Sequence, residues 1–432
     1  MFNNKTSPLK GWLIWSCAVL FYFYEFMIQV SPGVMSKDLM KTFDISALSL
    51  GNLSAYYFYS YAAMQLVVGL ALDRMGPRKL ITISSVVCAL GCFLFGSAET
   101  LQQAEISRLI IGIGSACAVV SAFKLATKWF DKKLFGIVTG LTVAVGMMGA
   151  VFGEVPLAWL VENIGWRQVM SIFAITGIII SVLVYTVIRD TPESEVKSPQ
   201  KTDLRQSLKN VLSCKQTWLT AVYGGLMFAP TTALGSLWGV SWMSNYYGFE
   251  RAESAHIISF LFFGWAFGSP LSGILTNYFG RCKVTMLYGS LSTFVILTGL
   301  IFCQTWSTLT LMSLWFLFGL ASSGFLPFMT IIKGLHPKND TGVAMGFGNA
   351  MNMVGGALLQ PLIGFILDYT WSGEISDGVR VYSSKSYQLS LMIIPALILV
   401  SIYVLYRIKE NFSSESTPNV EPDPGQFAVR SI

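Results

Sequence analysis

The sequence predicts an all-α polytopic membrane protein, with 12 transmembrane helices arranged as two pseudo-symmetric six-helix bundles. Of 432 residues, 53% are hydrophobic and only 12% charged, about half the charged share of a soluble domain. Twelve windows are long and apolar enough to cross a hydrocarbon core, which takes about 20 residues in a helix. Landmarks of the first half recur in the second at a nearly constant spacing, as in internally duplicated membrane bundles.

The first window, 11–35, is too long for a signal peptide and lacks a small-x-small cleavage site, so it is expected to remain as the first helix. Windows 48–72, 79–98, 105–127, 134–160 and 166–188 complete one bundle, residues 1–188. The interval 189–216 is rich in charge, Ser and Pro with little to bury, and reads as a cytoplasmic linker. Windows 217–244, 254–278, 284–304, 307–332, 341–369 and 387–407 form the second bundle, residues 217–410. The polar tail 411–432 is expected to be disordered.

Lys and Arg mark the side that stays cytoplasmic. With both termini inside, only Lys37, Lys41, Arg108, Arg167, Arg251, Arg380 and Lys385 of the 29 basic residues fall on or near the other side. The expected location is therefore the cell inner membrane, multi-pass, with cytoplasmic termini. The net charge of +6 follows from that topology, and no clustered basic face supports a nucleic-acid partner. Seven cysteines lie in spans or at cytoplasmic ends, where packing is the expected role. The two histidines, His256 and His336, are far apart, and no phosphate-binding or dinucleotide motif is present. The chain is not expected to be an enzyme or to hold a cofactor or metal.

The loop after the second window reads GLALDRMGPRK, residues 69–79, and the loop after the eighth reads GILTNYFGRCK, residues 273–283. Trp12-Leu13 aligns with Trp218-Leu219, Gly136 and Gly140 with Gly342 and Gly346, and Glu162 with Asp368. On these residues, with RLIIGIG at 108–114 and GWR at 165–167, the chain resembles the major facilitator superfamily of secondary transporters over its whole transmembrane length. The resemblance implies that Gly69, Asp73, Arg74, Gly76 and Arg78 gate the cytoplasmic side, that the first helix lines a central cavity, and that the protein is a monomer. Helix 5, GLTVAVGMMGAVFGEVP, keeps small-residue packing but lacks the Gly-Pro pair common in the family's antiporters, which favours uptake by symport or facilitated diffusion. Nitrate porters of the superfamily carry an arginine in helices 2 and 8, absent from both windows here.

Charges inside a span are costly, face protein or water, and carry function. Helical spacing sets Tyr22, Glu25, Gln29 and Pro32 along one side of the first window, leaving Phe21, Phe23, Met27, Val30 and Val34 for lipid or helix contacts. Tyr56 and Tyr59 on the second window, with Asn52 and Ser60, form a face suited either to a small solute or to an interfacial aromatic belt. Arg108 and Glu154 lie at similar depth, so Arg108 is expected either to pair with Glu154 or Glu25 or to capture a substrate carboxylate. Lys124 is expected to snorkel to the interface or reach the cavity. The second half supplies neutral groups, among them His256, Asn349 and Asn352.

These residues predict a proton-coupled transporter of a small organic nutrient, an amino acid or small peptide first, an organic anion or siderophore second. Glu25 either carries the proton or holds a substrate ammonium. A non-transporting membrane sensor is the rival class.

Overall fold

The computed structural model describes residues 8–190, 204–303, 306–337 and 339–410. The tail expected to be disordered lies outside them, as does 191–203 of the linker. Span 1 is Pro8–Phe43; spans 2 and 3 lie within Ala47–Gly96 as two helices that break at Gly76. Span 4 is Leu101–Ser115 with Ala118–Trp129, span 5 Lys132–Phe152 with Val155–Ile164, and span 6 Trp166–Val187. In the second half, span 7 joins Lys215–Ala233 and Gly239–Tyr247 through a π-helical turn, Leu234–Trp238. Spans 8 and 9 are Arg251–Phe279 and Cys282–Phe302. Span 10 runs Thr308–Ser322, then a 3-10 turn and Phe328–Gly334; span 11 is Thr341–Tyr369, and span 12 Ser384–Leu391 with Ile393–Arg407. The only strands among the described residues, Ile375–Ser376 and Val379–Arg380, form a small antiparallel hairpin between spans 11 and 12.

Among the described residues, ten helices are individually long and apolar enough to cross a membrane. Spans 2 and 7 fall short, the first carrying four tyrosines with Asn52, Ser60 and Gln65 and the second a run of Thr, Gly and Ser. Both lie where the halves meet. Spans 2 and 11 touch along their length: a Cβ on Gly364 would stand 2.4 Å from the Ala47 carbonyl, and one on Gly346 would stand 3.2 Å from that of Gln65. Ala47 marks the end of the bundle far from the chain termini, and Gln65 lies towards the termini end.

On span 1 the residues expected to meet lipid or another helix meet another helix. Phe21, Val30 and Val34 are buried like Tyr22 and Glu25, because span 5 lays Gly146, Gly149 and Gly153 against Tyr22, Phe23 and Val30 on its other side. Span 1 also continues eight residues past its predicted end to Phe43, with Pro32 inside the helix. The linker, expected to bury little, contains the helix Leu204–Ser213. Val211 and Ser207 of this helix are buried, and Ser207 Oγ and Asn210 Nδ2 donate to Asp340 at 2.6 and 2.8 Å, docking it beside the start of span 11.

Candidate functional site

Proline 32 builds part of the site. It has no N–H to give the carbonyl four residues earlier, so Ile28 O is free to accept from other groups. Ser31 Oγ takes it at 2.9 Å and Arg108 Nη1 at 3.3 Å. The Arg108 guanidinium carbon lies 4.9 Å from the centre of the Tyr57 ring, within cation–π range. On the same residue, the Tyr57 hydroxyl donates to Glu25 Oε1. One aromatic side chain of span 2 therefore touches the cation of span 4 and the anion of span 1.

This cluster, and separately Glu154 of span 5, is buried and under-bonded. Glu25 and Arg108 are each 1% exposed, Tyr57 and Glu154 fully buried. Glu25 Oε2, Arg108 Nε and Nη2, and both oxygens of Glu154 have no hydrogen-bond partner among the described residues. Each such orphan costs about 1–3 kcal/mol, more when charged, and native proteins keep few without a reason.

The expected Arg108 pairing with Glu154 or Glu25 is not formed. Arg108 instead spends one nitrogen on the carbonyl freed by Pro32 and rests its face on Tyr57. On span 2 the residue that reaches Glu25 is neither Tyr56 nor Tyr59. Tyr59 is 40% exposed and gives its hydroxyl to Ala357 O at 3.2 Å, the carbonyl that Pro361 leaves free on span 11. Tyr56 packs edge-on against Tyr59 at 6.0 Å. Tyr57, between them, is the one that reaches Glu25, and Gly112 of span 4 packs on it, a Cβ there standing 2.2 Å from the Tyr57 carbonyl. Tyr22 and Gln29 are buried on the Glu25 side of span 1.

The second half closes the site with neutral groups. Asn349 Nδ2 donates to Gln65 Oε1 at 3.0 Å across the two halves, and Gln65 Nε2 is tied to Ala116 O at 2.9 Å. Asn352 is buried, with Oδ1 unpartnered. His256 is not brought in; it is exposed and sets its ring edge-on to Phe260 of its own helix.

Contacts at the far end join the halves. Arg251 donates to Asp38 at 2.8 Å, Lys37 to Asp377 at 3.2 Å, and Ser36 and Ser241 share a hydrogen bond of 2.8 Å. Asp368 of span 11 accepts from the first backbone amides of span 2, Ala47 at 3.2 Å and Leu48 at 2.8 Å, where the helix dipole favours an anion. Tyr382 donates to the same carboxylate at 2.6 Å and Arg380 at 3.4 Å. A cavity of about 590 Å³ lies over these contacts, lined by Lys37, Glu162, Trp238, Arg251 and Tyr382 among others. Replacing Asp368 by Ala strands two amides of span 2 and is expected to shift the far end towards opening by about tenfold. Alkylation of a cysteine placed at Ser241 reads that shift; unchanged labelling would show that the ion pairs alone hold this end.

At the termini end, Asp73 pairs with Lys124 of span 4, a neighbouring helix, and Lys124 is thereby engaged at this end and not in the cavity. Gly76 has φ +77° and any Cβ there would strike the Asp190 carboxylate at 2.8 Å, which in turn accepts from the Arg78 amide at 2.7 Å. Arg78 stacks on Tyr185 at 4.4 Å, and Arg74 is exposed. Gly69 was expected to permit a close approach, but nothing stands within 4 Å of its Cβ position.

The family model described as the Major Facilitator Superfamily matches residues 14–241 and again 224–430. The cis,cis-muconate transport protein of Acinetobacter baylyi (strain ATCC 33305 / BD413 / ADP1) is 20% identical over 412 residues, covering 92% of this chain and 97% of that protein. The nitrate/nitrite transporter NrtP of Nostoc punctiforme (strain ATCC 29133 / PCC 73102) is 31% identical over 175 residues, but the match spans only 38% of this chain and 34% of that protein. Among solved structures, a bacterial homologue of the human lysosomal transporter Spinster, inward-facing and unoccupied, superposes with a TM-score of 0.75 over 93% of this chain and 97% of that one at 16% identity.

Proposed function

We propose a function from one premise: the chain belongs to the major facilitator superfamily, its family model matching both halves. On that premise the protein is a secondary transporter that moves a small organic anion through the site at Arg108 by alternating access, with Glu25 carrying a coupled proton. The carrying observation is Arg108, a buried guanidinium with two unpartnered nitrogens, Nε and Nη2, and no carboxylate paired to it. A forked contact to a substrate carboxylate satisfies both. The long match to a muconate carrier supports the same chemistry. The amino-acid or peptide reading therefore gives way to the organic anion held second from the sequence. It rested on Glu25 as an ammonium ligand, whereas the match that runs the length of the chain is to a carrier of an organic acid.

Nitrate is the weaker anion. Arg74 stands exposed at the fold between spans 2 and 3, Arg281 precedes span 9, and Arg251 is tied to Asp38 at the far end, so neither span 2 nor span 8 offers a central arginine. The concentration of Lys and Arg supports a cytoplasmic termini end in an inner membrane. The contacts at Asp38, Asp368 and Asp377 then hold the extracytoplasmic end shut, and the Asp73 cluster holds the cytoplasmic end shut in the opposite, outward-open state. A monomer suffices for this cycle.

The test is counterflow in proteoliposomes with cis,cis-muconate, glucuronate, sulfoacetate, nitrate, glutamate and a dipeptide, with and without a proton gradient. Flux of the organic acids that rises with inward protons is the expected result. Flux of glutamate or the dipeptide without the organic acids would sink the anion reading, and no flux at all would favour the sensor. In the same vesicles Glu25→Gln is expected to keep counterflow while losing gradient-driven accumulation by about tenfold or more, the size of one hydrogen bond to a charged group. Loss of both would make Glu25 a substrate ligand.

A further inference from the structure

Proton and anion sites on separate helices need a physical link, or the two would bind independently. Here span 1 and span 4 meet through a side chain of a third helix. The Tyr57 hydroxyl donates to Glu25 Oε1 while the face of the same ring carries Arg108 at 4.9 Å. We propose that Tyr57 is the positioning residue that couples proton binding at Glu25 to anion binding at Arg108, an inference that rests on the reading of those two residues given above.

With Glu25 ionised, its charge, held in place by the Tyr57 hydroxyl, balances Arg108 across the ring in a medium where charges act strongly. A proton taken from solution onto a Glu25 oxygen removes that balance. Tyr57 keeps its own proton throughout, but its hydroxyl loses a charged acceptor, and Arg108 is left as an uncompensated cation with free Nε and Nη2 donors. An incoming carboxylate restores neutrality. Loading thus adds one proton and one anionic group together, and either alone leaves a buried charge unmatched.

Tyr57 is fixed for this task from every side. Span 4 lies so close that a Cβ on Gly112 would stand 2.2 Å from the Tyr57 carbonyl and 2.1 Å from Ser60 Oγ. Phe58 and Tyr61 pack on its ring at 5.1 and 5.8 Å. The other titratable groups facing Glu25 are Tyr22 on span 1, Tyr61 on span 2, Cys88 on span 3 and Cys117 beside span 4. None of these is in contact with Arg108 as Tyr57 is.

The experiment compares wild type, Tyr57→Phe, Tyr57→Leu, Glu25→Gln and the Glu25→Gln/Tyr57→Phe double variant in proteoliposomes, using cis,cis-muconate as the probe. Tyr57→Phe keeps the ring under Arg108 and removes the hydroxyl. It is expected to lower proton-driven accumulation about tenfold or more with less than about threefold change in KM, and to displace the pH profile of counterflow, the loss of one hydrogen bond to a charged group. Tyr57→Leu removes the ring as well and is expected to raise KM about tenfold in addition. The double variant is expected to match Glu25→Gln, since the hydroxyl acts through that carboxyl. Equal loss of KM and accumulation in Tyr57→Phe, an unmoved pH profile, or additive effects in the double variant overturns the coupling role and leaves the anion reading intact. Muconate binding that survives Arg108→Gln, or no flux of any organic acid of the panel by wild type, overturns the anion reading first and the coupling with it.

Discussion

Arg108→Gln is expected to abolish binding and counterflow of organic acids, with at least a hundredfold loss of apparent affinity, about 2.8 kcal/mol. Glutamine keeps hydrogen-bonding reach towards Ile28 O but carries neither the charge nor the second arm of the fork. Losing one member of a buried charge pair typically costs about 2–5 kcal/mol. Arg108→Lys keeps the charge as a point and loses the planar fork and its stack on Tyr57, so an intermediate loss of about tenfold is expected. Equilibrium titration of the purified protein with the six solutes of the counterflow panel decides it. Unaltered titration in Arg108→Gln places the anion elsewhere in the molecule.

The largest structural effect is expected from Gly112→Val. A Cβ at 112 would lie 2.1 Å from Ser60 Oγ and 2.2 Å from the Tyr57 carbonyl; the first can turn away, but the second is backbone. Spans 2 and 4 must separate, breaking contacts on both helices, and overpacking of this kind costs about 1–3 kcal/mol or more. The variant is expected to show a lower unfolding temperature in detergent and a displaced Tyr57. Gly69→Val, with open space around it, is the control and is expected to unfold as wild type. Equal stability of the two variants would show that spans 2 and 4 pack less tightly than the geometry requires.

Each part of the site was legible to a different degree. Glu25 and Arg108 stood out because a charge within twenty apolar residues is visible in one dimension. Tyr57 did not, since YYFYSY offers four tyrosines and a helical wheel ranks them only once the neighbouring helix is known. The Arg108 pairing failed for a related reason: similar depth along two spans says nothing about the angle between them. Pro32 was placed correctly on the polar side of span 1, but its consequence, a carbonyl freed for Arg108, needs the rotation of span 4 to be seen.

The far-end latch illustrates the same division. Asp368 was noted as the repeat partner of Glu162, yet its role lies in the amides of Ala47 and Leu48, more than three hundred residues away in the chain. Gly76 at φ +77° was readable as a turn glycine, whereas Asp190 beneath it was assigned to a linker with little to bury.

The sequence by itself determined the membrane class, the long spans and the duplicated halves, because hydrocarbon thickness and backbone hydrogen bonding act on each helix separately. Tertiary structure decided which tyrosine meets Glu25, what Arg108 rests on, which carboxylate closes the far end and which partner Asp73 takes. Those choices depend on helix rotation and crossing, set by glycines and carbonyls of neighbouring spans, and apolar patterning within one helix carries no record of them.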